Sequence, residues 1–293
     1  MQKQINANKR NTVLTIIGFL LFVCIIGGLF SYFYNDVKYI LLFSIITLIY
    51  VVVQYYFADR EALRFSGAKE IQKNDNPKLF NIVEEVSASA NVPMPRVYLI
   101  NEPAPNAFAT GRDPKHSSVA VTTGLLEILD KNELTSVVAH EISHIKNYDI
   151  RVSTIVFGLV CLVGLFSDLG FRLLFYGHSR RSSDEERSPI GFLIIIVSAI
   201  LSPIAASLVQ MAISREREYL ADASSAKITN NPDSMISALK KLDIHTRPMR
   251  SQNPASEASY ITNPLQKGLF SNLFSTHPPI EKRIARLENA KKK

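Results

Sequence analysis

Tryptophan is absent from this chain, and cysteine nearly so: the only thiols are Cys24 and Cys161. Both lie inside apolar runs, far apart. That excludes a disulfide-stapled secreted fold and a cysteine-rich zinc site. Both read as small buried apolar residues. Histidine is scarce too, six in 293 residues, so a pair at a meaningful spacing carries weight. Long stretches also lack charge altogether. Residues 13–33, 39–57 and 189–214 contain no Asp, Glu, Lys or Arg. Each is long enough to cross a hydrocarbon core about 30 Å thick. Residues 152–176 form a weaker fourth candidate, interrupted by Asp168 and Arg172, which can pair on one helix face. The first run is too long for the apolar region of a signal peptide, lacks a small-x-small cleavage pattern and is soon followed by another span. It therefore reads as a retained anchor.

The net charge of +7 does not call for nucleic acid. Lys3, Lys9 and Arg10 precede the first run, and Arg60, Arg64, Lys69 and Lys73 follow the second. The positive-inside rule places both outer ends of this hairpin in the cytoplasm. The basic residues then set orientation and contact anionic lipid. On this reading the bilayer is an expected partner, and a nucleic-acid partner is not expected.

Soluble composition returns at residues 58–150. The spacing predicts a helix over 76–90, with Asn76 as N-cap and Pro77 in the first turn. Short β-type runs follow at 96–100, 107–110 and 119–123, with a turn at 111–114 between the last two. Helices are expected at 125–129, 132–148, 215–228, 234–242 and 280–287. The segment 246–276, rich in Pro, Ser and Asn, reads as irregular.

The helix at 132–148 carries His140-Glu141-Ile142-Ser143-His144. Positions i and i+4 share a helix face, about 5–6 Å apart. Two imidazoles so placed can both reach one zinc ion at about 2.0–2.1 Å. Glu141 then stands where a general base can activate a water. The alternative is two histidines that share a face by chance.

A catalytic zinc site takes three protein ligands and keeps one position open. Glu218 and Asp222, again i and i+4, are candidates: Glu218 as third ligand, Asp222 as hydrogen-bond partner of a ligating imidazole. A solvated acidic pair on a charged helix is the plainer reading. Topology favours the ligand reading. The histidines lie just before the third span and Glu218 just after the fourth, so both flanks emerge on one membrane face. Glu216 points to a different helix face and is left out.

Together, His140–His144 and Glu218-Tyr219-Leu220-Ala221-Asp222 resemble the HtpX-type membrane zinc metalloproteases, gluzincins related to the CAAX prenyl proteases. The similarity spans nearly the whole chain. It implies one zinc ion held by His140, His144 and Glu218, with Asp222 behind them. Asn106-Ala107-Phe108 resembles the family's edge strand beside the active site, which would bind an extended substrate through free backbone groups. Thr276-His277-Pro278-Pro279 resembles its His-Pro-Pro element, with His277 donating to the oxyanion of the tetrahedral intermediate. Arg283 lies beyond it, but its neighbours Lys282 and Arg286 suggest a solvated basic face. His116, His178 and His245 have no partner at ligand spacing.

The expected fold class is mainly α with a small β-sheet: a multi-span α-helical membrane protein with a cytoplasmic zincin-like catalytic domain. Residues 1–57 form a transmembrane hairpin. Residues 58–150 form the first part of the catalytic domain, 151–214 two further spans joined by the loop 177–188, and 215–293 the second part. The resemblance implies an endopeptidase of the cell (inner) membrane, multi-pass, acting from the cytoplasmic side on misfolded or damaged membrane proteins. Alternatives are a processing protease for one dedicated or prenylated substrate, or a non-catalytic zinc-stabilised membrane scaffold. Glu141 counts against the scaffold, because structural zinc has no use for a base there.

Overall fold

The computed structural model describes residues 2–176, 215–245, 247, 249, 260–261 and 278–291. The first two charge-free runs are helices, α1 (Gln2–Tyr34) and α2 (Lys38–Phe65), joined by a tight turn at Asn35, whose φ is +47°. Helix α1 begins well before residue 13. Its basic first turns contain no Pro or Gly to stop it, and Lys and Arg are good helix formers. A third helix, α6 (Asp149–Tyr176), packs against both. Phe19 and Val23 of α1, Val51 of α2, and Val152, Ile155, Val156 and Leu159 of α6 form their shared core. Tyr50 Oη donates to the Gly158 carbonyl at 2.7 Å, tying α2 to α6. On the outside, Leu14, Leu21, Ile25, Leu41, Ile45 and Ile49 are 57–63% exposed. An apolar belt of this extent is not stable against water and suits lipid. Two stretches, Gln2–Ile25 and Lys38–Phe65, have the length and apolarity to cross a bilayer. The run 189–214 and the loop 177–188 lie outside the described residues.

The sheet has four strands: β1 (Ala68–Glu70), β2 (Arg96–Ile100), β3 (Ala107–Asp113) and β4 (His116–Thr122), in the order β1-β2-β4-β3. Strands β2 and β4 are parallel, and the other pairs antiparallel. Strand β1 follows the end of α2 and was not expected from the sequence; it is short and polar. Strand β3 runs on through the expected turn to Asp113, with a bulge between Gly111 and Asp113. Gly111 sits at φ +139°, and a side chain there would run into the His116 carbonyl. Alternation along the strands sorts their side chains. Val97, Ala107, Ala109, Val119 and Val121 face one core. Tyr98, Phe108 and Ala120 join Leu63 and Tyr260 in another.

The first core is completed by α3 (Pro77–Ala90), α5 (Lys131–Lys146) and α8 (Pro232–Ile244). Helix α3 starts as its sequence predicts, with the Leu79 amide donating to Asn76 Oδ1 at 3.0 Å. Helix α4 (Thr123–Ile128) turns the chain into α5, which is buried nearly all round. Its start lies one residue earlier than expected, because Asp130 and Glu133 form a reciprocal capping box. Ser237 and Lys241 of α8 both donate to Glu133 at 2.6 Å. Burial would raise this carboxyl, but those donors and the Asp130 amide hold it below its ordinary range. Helix α7 (Arg215–Thr229) lies along α5, fixed by Ser225 Oγ donating to the Ser136 carbonyl at 2.6 Å. Helix α9 (Ile280–Lys291) packs on α7 and α8.

Candidate metal centre

The apolar flanks of α5 hold its polar stripe, His140, Glu141 and His144, inside the protein. Helix α7 brings Glu218 against that stripe. His140 Nε2 and His144 Nε2 are 3.1 Å apart, and the Glu218 carboxylate lies 3.5 Å from the first and 3.4 Å from the second. A tetrahedral ion bonded at about 2.0–2.1 Å spaces its donors at roughly 3.3–3.4 Å, so the three groups fit one ion. Among the described residues these three form the one group of metal-donor side chains close enough to share an ion.

The donors are oriented from behind. His140 Nδ1 is 3.0 Å from Asp222 Oδ1, in ion-pair range though off the line of a straight hydrogen bond. His144 Nδ1 is 3.0 Å from Asp149 Oδ2. Each carboxylate favours the proton on Nδ1 and leaves the Nε2 lone pair facing the centre. Burial alone would depress both imidazoles. Asp222 and Glu218 more than reverse this and hold His140 at about 9, and Asp149 and Glu218 raise His144 in the same direction.

Asp222 is itself clamped. Arg283 donates from Nε to Asp222 Oδ2 at 2.8 Å and from Nη2 to Oδ1 at 2.7 Å. Burial would raise the Asp222 carboxyl, but this guanidinium, together with His140, holds it at about 2. The solvated basic face expected at Arg283 is thereby corrected. Arg283 is 1% exposed, because α9 turns it inward while its neighbour Arg286 pairs outside with the exposed Glu216. Charge supports the same fit as distance. Glu141, Glu218, Asp149 and Asp222 set four carboxylates against the guanidinium groups of Arg217 and Arg283. With both histidines neutral, as metal ligands are, two negative charges remain for a divalent cation to balance.

Glu141 is buried next to His140 on α5 and lies within the electrostatic reach of Arg283, outside the three-donor group. His277 lies outside the described residues. Asn106, Ala107 and Phe108 require a correction, because the β3 edge is not free there. Ile261 N–H donates to the Ala107 carbonyl at 2.9 Å, and Tyr260 pairs with Phe108. The Phe108 ring packs edge-on against Tyr260 at 4.9 Å, and the backbone of Asn106 is bonded to Thr122. A second pass of the chain over this edge has no signal in the sequence of β3. Asp149 was missed as well. An acidic residue five positions beyond the second histidine, just past the helix end, was a signal that could have found it.

Fold and centre together define a membrane-associated metallopeptidase. Residues 73–291 match peptidase family M48, and the chain belongs to that family. It is 50% identical over 288 residues to a protease HtpX homolog of Tropheryma whipplei (strain Twist), covering 98% of both chains. It is 42% identical over 296 residues to a protease HtpX homolog of Lactobacillus helveticus (strain DPC 4571), covering 98% of this chain and 99% of that one. Among solved structures it is similar to Ste24p of S. mikatae, with 20% identity and a TM-score of 0.49 over 97% of this chain and 66% of the other.

Proposed function

We propose that this chain is a zinc endopeptidase of the cell membrane that cuts misfolded or damaged membrane proteins from the cytoplasmic side. The observation that carries the reading is the convergence of His140, His144 and Glu218 on one point, with Glu141 buried alongside. The hairpin 1–57 and the segment 151–214 anchor the protein, and 58–150 with 215–293 build the catalytic unit between them. The site stands where α5 passes into α6, so a substrate leaving the bilayer meets it near the surface.

His140, His144 and Glu218 would hold the zinc, which when bound would supply a positive charge to polarise a peptide carbonyl and acidify water. Glu141 takes the proton of the attacking water on its carboxylate and passes it to the leaving amine nitrogen. Asp222 and Asp149 keep the Nδ1 protons of the two histidines in place. His277 donates a hydrogen bond to the oxyanion.

Protein purified in detergent should contain about one zinc per chain and hydrolyse an unfolded protein. A chelator should stop hydrolysis, and added zinc should restore it. Hydrolysis that persists after the metal is stripped would reject the metallopeptidase mechanism. A zinc-loaded protein with no turnover on unfolded soluble or membrane substrates would favour the scaffold.

Sidedness is a separate expectation. Val37 in the α1–α2 turn is 68% exposed, and Lys115 in the β3–β4 turn is also exposed. Single cysteines at these two positions, in a background without Cys24 and Cys161, distinguish the two faces. A membrane-impermeant thiol reagent on intact cells should label Val37→Cys, and should reach Lys115→Cys only after permeabilisation. The reverse pattern would put the catalytic unit outside.

A further inference from the structure

The first helix does more than anchor the chain. Asn8 lies near its N-terminal end, before the apolar run begins, and is fully buried. Its Nδ2 donates to the Asn147 carbonyl at 2.8 Å and to Asp149 Oδ1 at 2.6 Å. Both neighbours are acceptors only, which settles which end of the amide faces them.

Local geometry explains why an outside donor is needed. Helix α5 ends at Lys146, and Tyr148 takes a left-handed φ of +61° before α6 begins at Asp149. This kink returns Asp149 to His144 and leaves the Asn147 carbonyl without a continuing helix to bond it. Asp149 uses Oδ2 for His144, while Oδ1 faces Asn8 and, at 3.6 Å, Arg217 Nε. Asn8 thus closes the loose carbonyl and pins the second carboxylate oxygen with one group. Helix α1 is held in register for this. Asn8, Thr12, Thr15, Phe19 and Val23 form its buried stripe, and the Lys9 ammonium lies 4.6 Å from the Tyr148 ring centre.

We propose that Asn8 is a positioning residue of the metal centre, acting through Asp149 on His144, so that the first membrane helix is part of the catalytic apparatus. Without Asn8 the Asp149 carboxylate is free to swing toward Arg217. His144 then loses its fixed ring orientation. The inference rests on His144 being a metal ligand.

The test is zinc affinity of the full chain in detergent, measured by competition with a chelator. Asn8→Ala and the isosteric Asn8→Asp, which sets an acceptor against two acceptors, should each weaken binding by about tenfold or more, the usual cost of removing an outer hydrogen bond from a ligand. The loss should vanish in an Asp149→Ala background and persist in an Asp222→Ala background. A merely structural role for Asn8 would weaken binding equally in both. Wild-type affinity in Asn8→Ala, or an equal loss in both backgrounds, overturns the proposal. His144→Ala serves as the check on the underlying reading, since wild-type zinc affinity in that variant would remove His144 itself from the ligand set. Should the Asn8 variants fail to fold, hydrogen exchange on the wild-type protein decides. Stripping the metal should speed exchange in the first turns of α1 as well as at Asn147–Asp149, and unchanged exchange in α1 overturns the proposal.

Discussion

Glu141→Gln should leave the zinc content at the wild-type level and lower peptide hydrolysis by at least about 10²–10⁴-fold, the usual worth of a positioned general base. Glutamine keeps the size and burial of the side chain but cannot accept the water's proton. Glu141 is outside the group formed by His140, His144 and Glu218, so the metal should remain. His144→Ala is the contrast, since there metal and activity should fall together. Zinc per chain and turnover of an unfolded substrate would be measured on the same samples. Loss of zinc from Glu141→Gln would make Glu141 a ligand. Turnover near the wild-type rate would move the base elsewhere, with other acidic groups facing the centre the first to examine.

The parts of the centre readable in the sequence are those fixed by helix geometry. The i, i+4 spacing of His140 and His144 dictates that the two rings share a face, and the same rule relates Glu218 to Asp222. The meeting of α5 with α7 followed from which ends of the apolar runs the two pairs flank. Asp149 depends on a left-handed Tyr148, a backbone choice that the residue type does not announce. Asn8 lies 139 positions from Asn147 and joins the site only because α1 packs on α6. Local pattern holds no record of such a contact.

The fold divides in the same way. Helix α3 carries its own cap and amphipathic spacing, so its bounds were legible. Strand β1 has neither length nor alternation of apolar residues and forms only because β2 offers it an edge. The outer side of β3 looked like a free edge because alternation reports which faces are buried, not what pairs with the backbone. Tyr260 and Ile261 cover it from a segment whose composition suggests no regular structure. Arg283 shows the limit of reading charge from neighbours. Lys282, Arg283 and Arg286, close together in one short helix, resemble a solvated face, yet a period of 3.6 turns Arg283 inward while Lys282 and Arg286 stay out.

Replacing Arg283 should have the largest effect on stability. Arg283→Met keeps much of the volume and removes the guanidinium that donates to both oxygens of the buried Asp222. Breaking a buried ion pair by deleting one partner costs about 3–5 kcal/mol, because the other charge is left in a low-dielectric site. For a chain of this size that corresponds to a fall in melting temperature of roughly 10 °C or more. Metal-free protein is the right sample, so that zinc binding does not mask the loss. Lysine is a poor substitute, because its ammonium cannot engage both oxygens in a fixed fork. Arg283→Lys should therefore remain well below wild type. The double variant Arg283→Met with Asp222→Asn removes both charges, so it should recover part of the lost stability while leaving His140 with a neutral partner. Zinc affinity should fall in both, since the group behind His140 is loosened in one and uncharged in the other. A melting temperature for Arg283→Met equal to that of the wild type would show that the pair between α7 and α9 does not hold the two helices together.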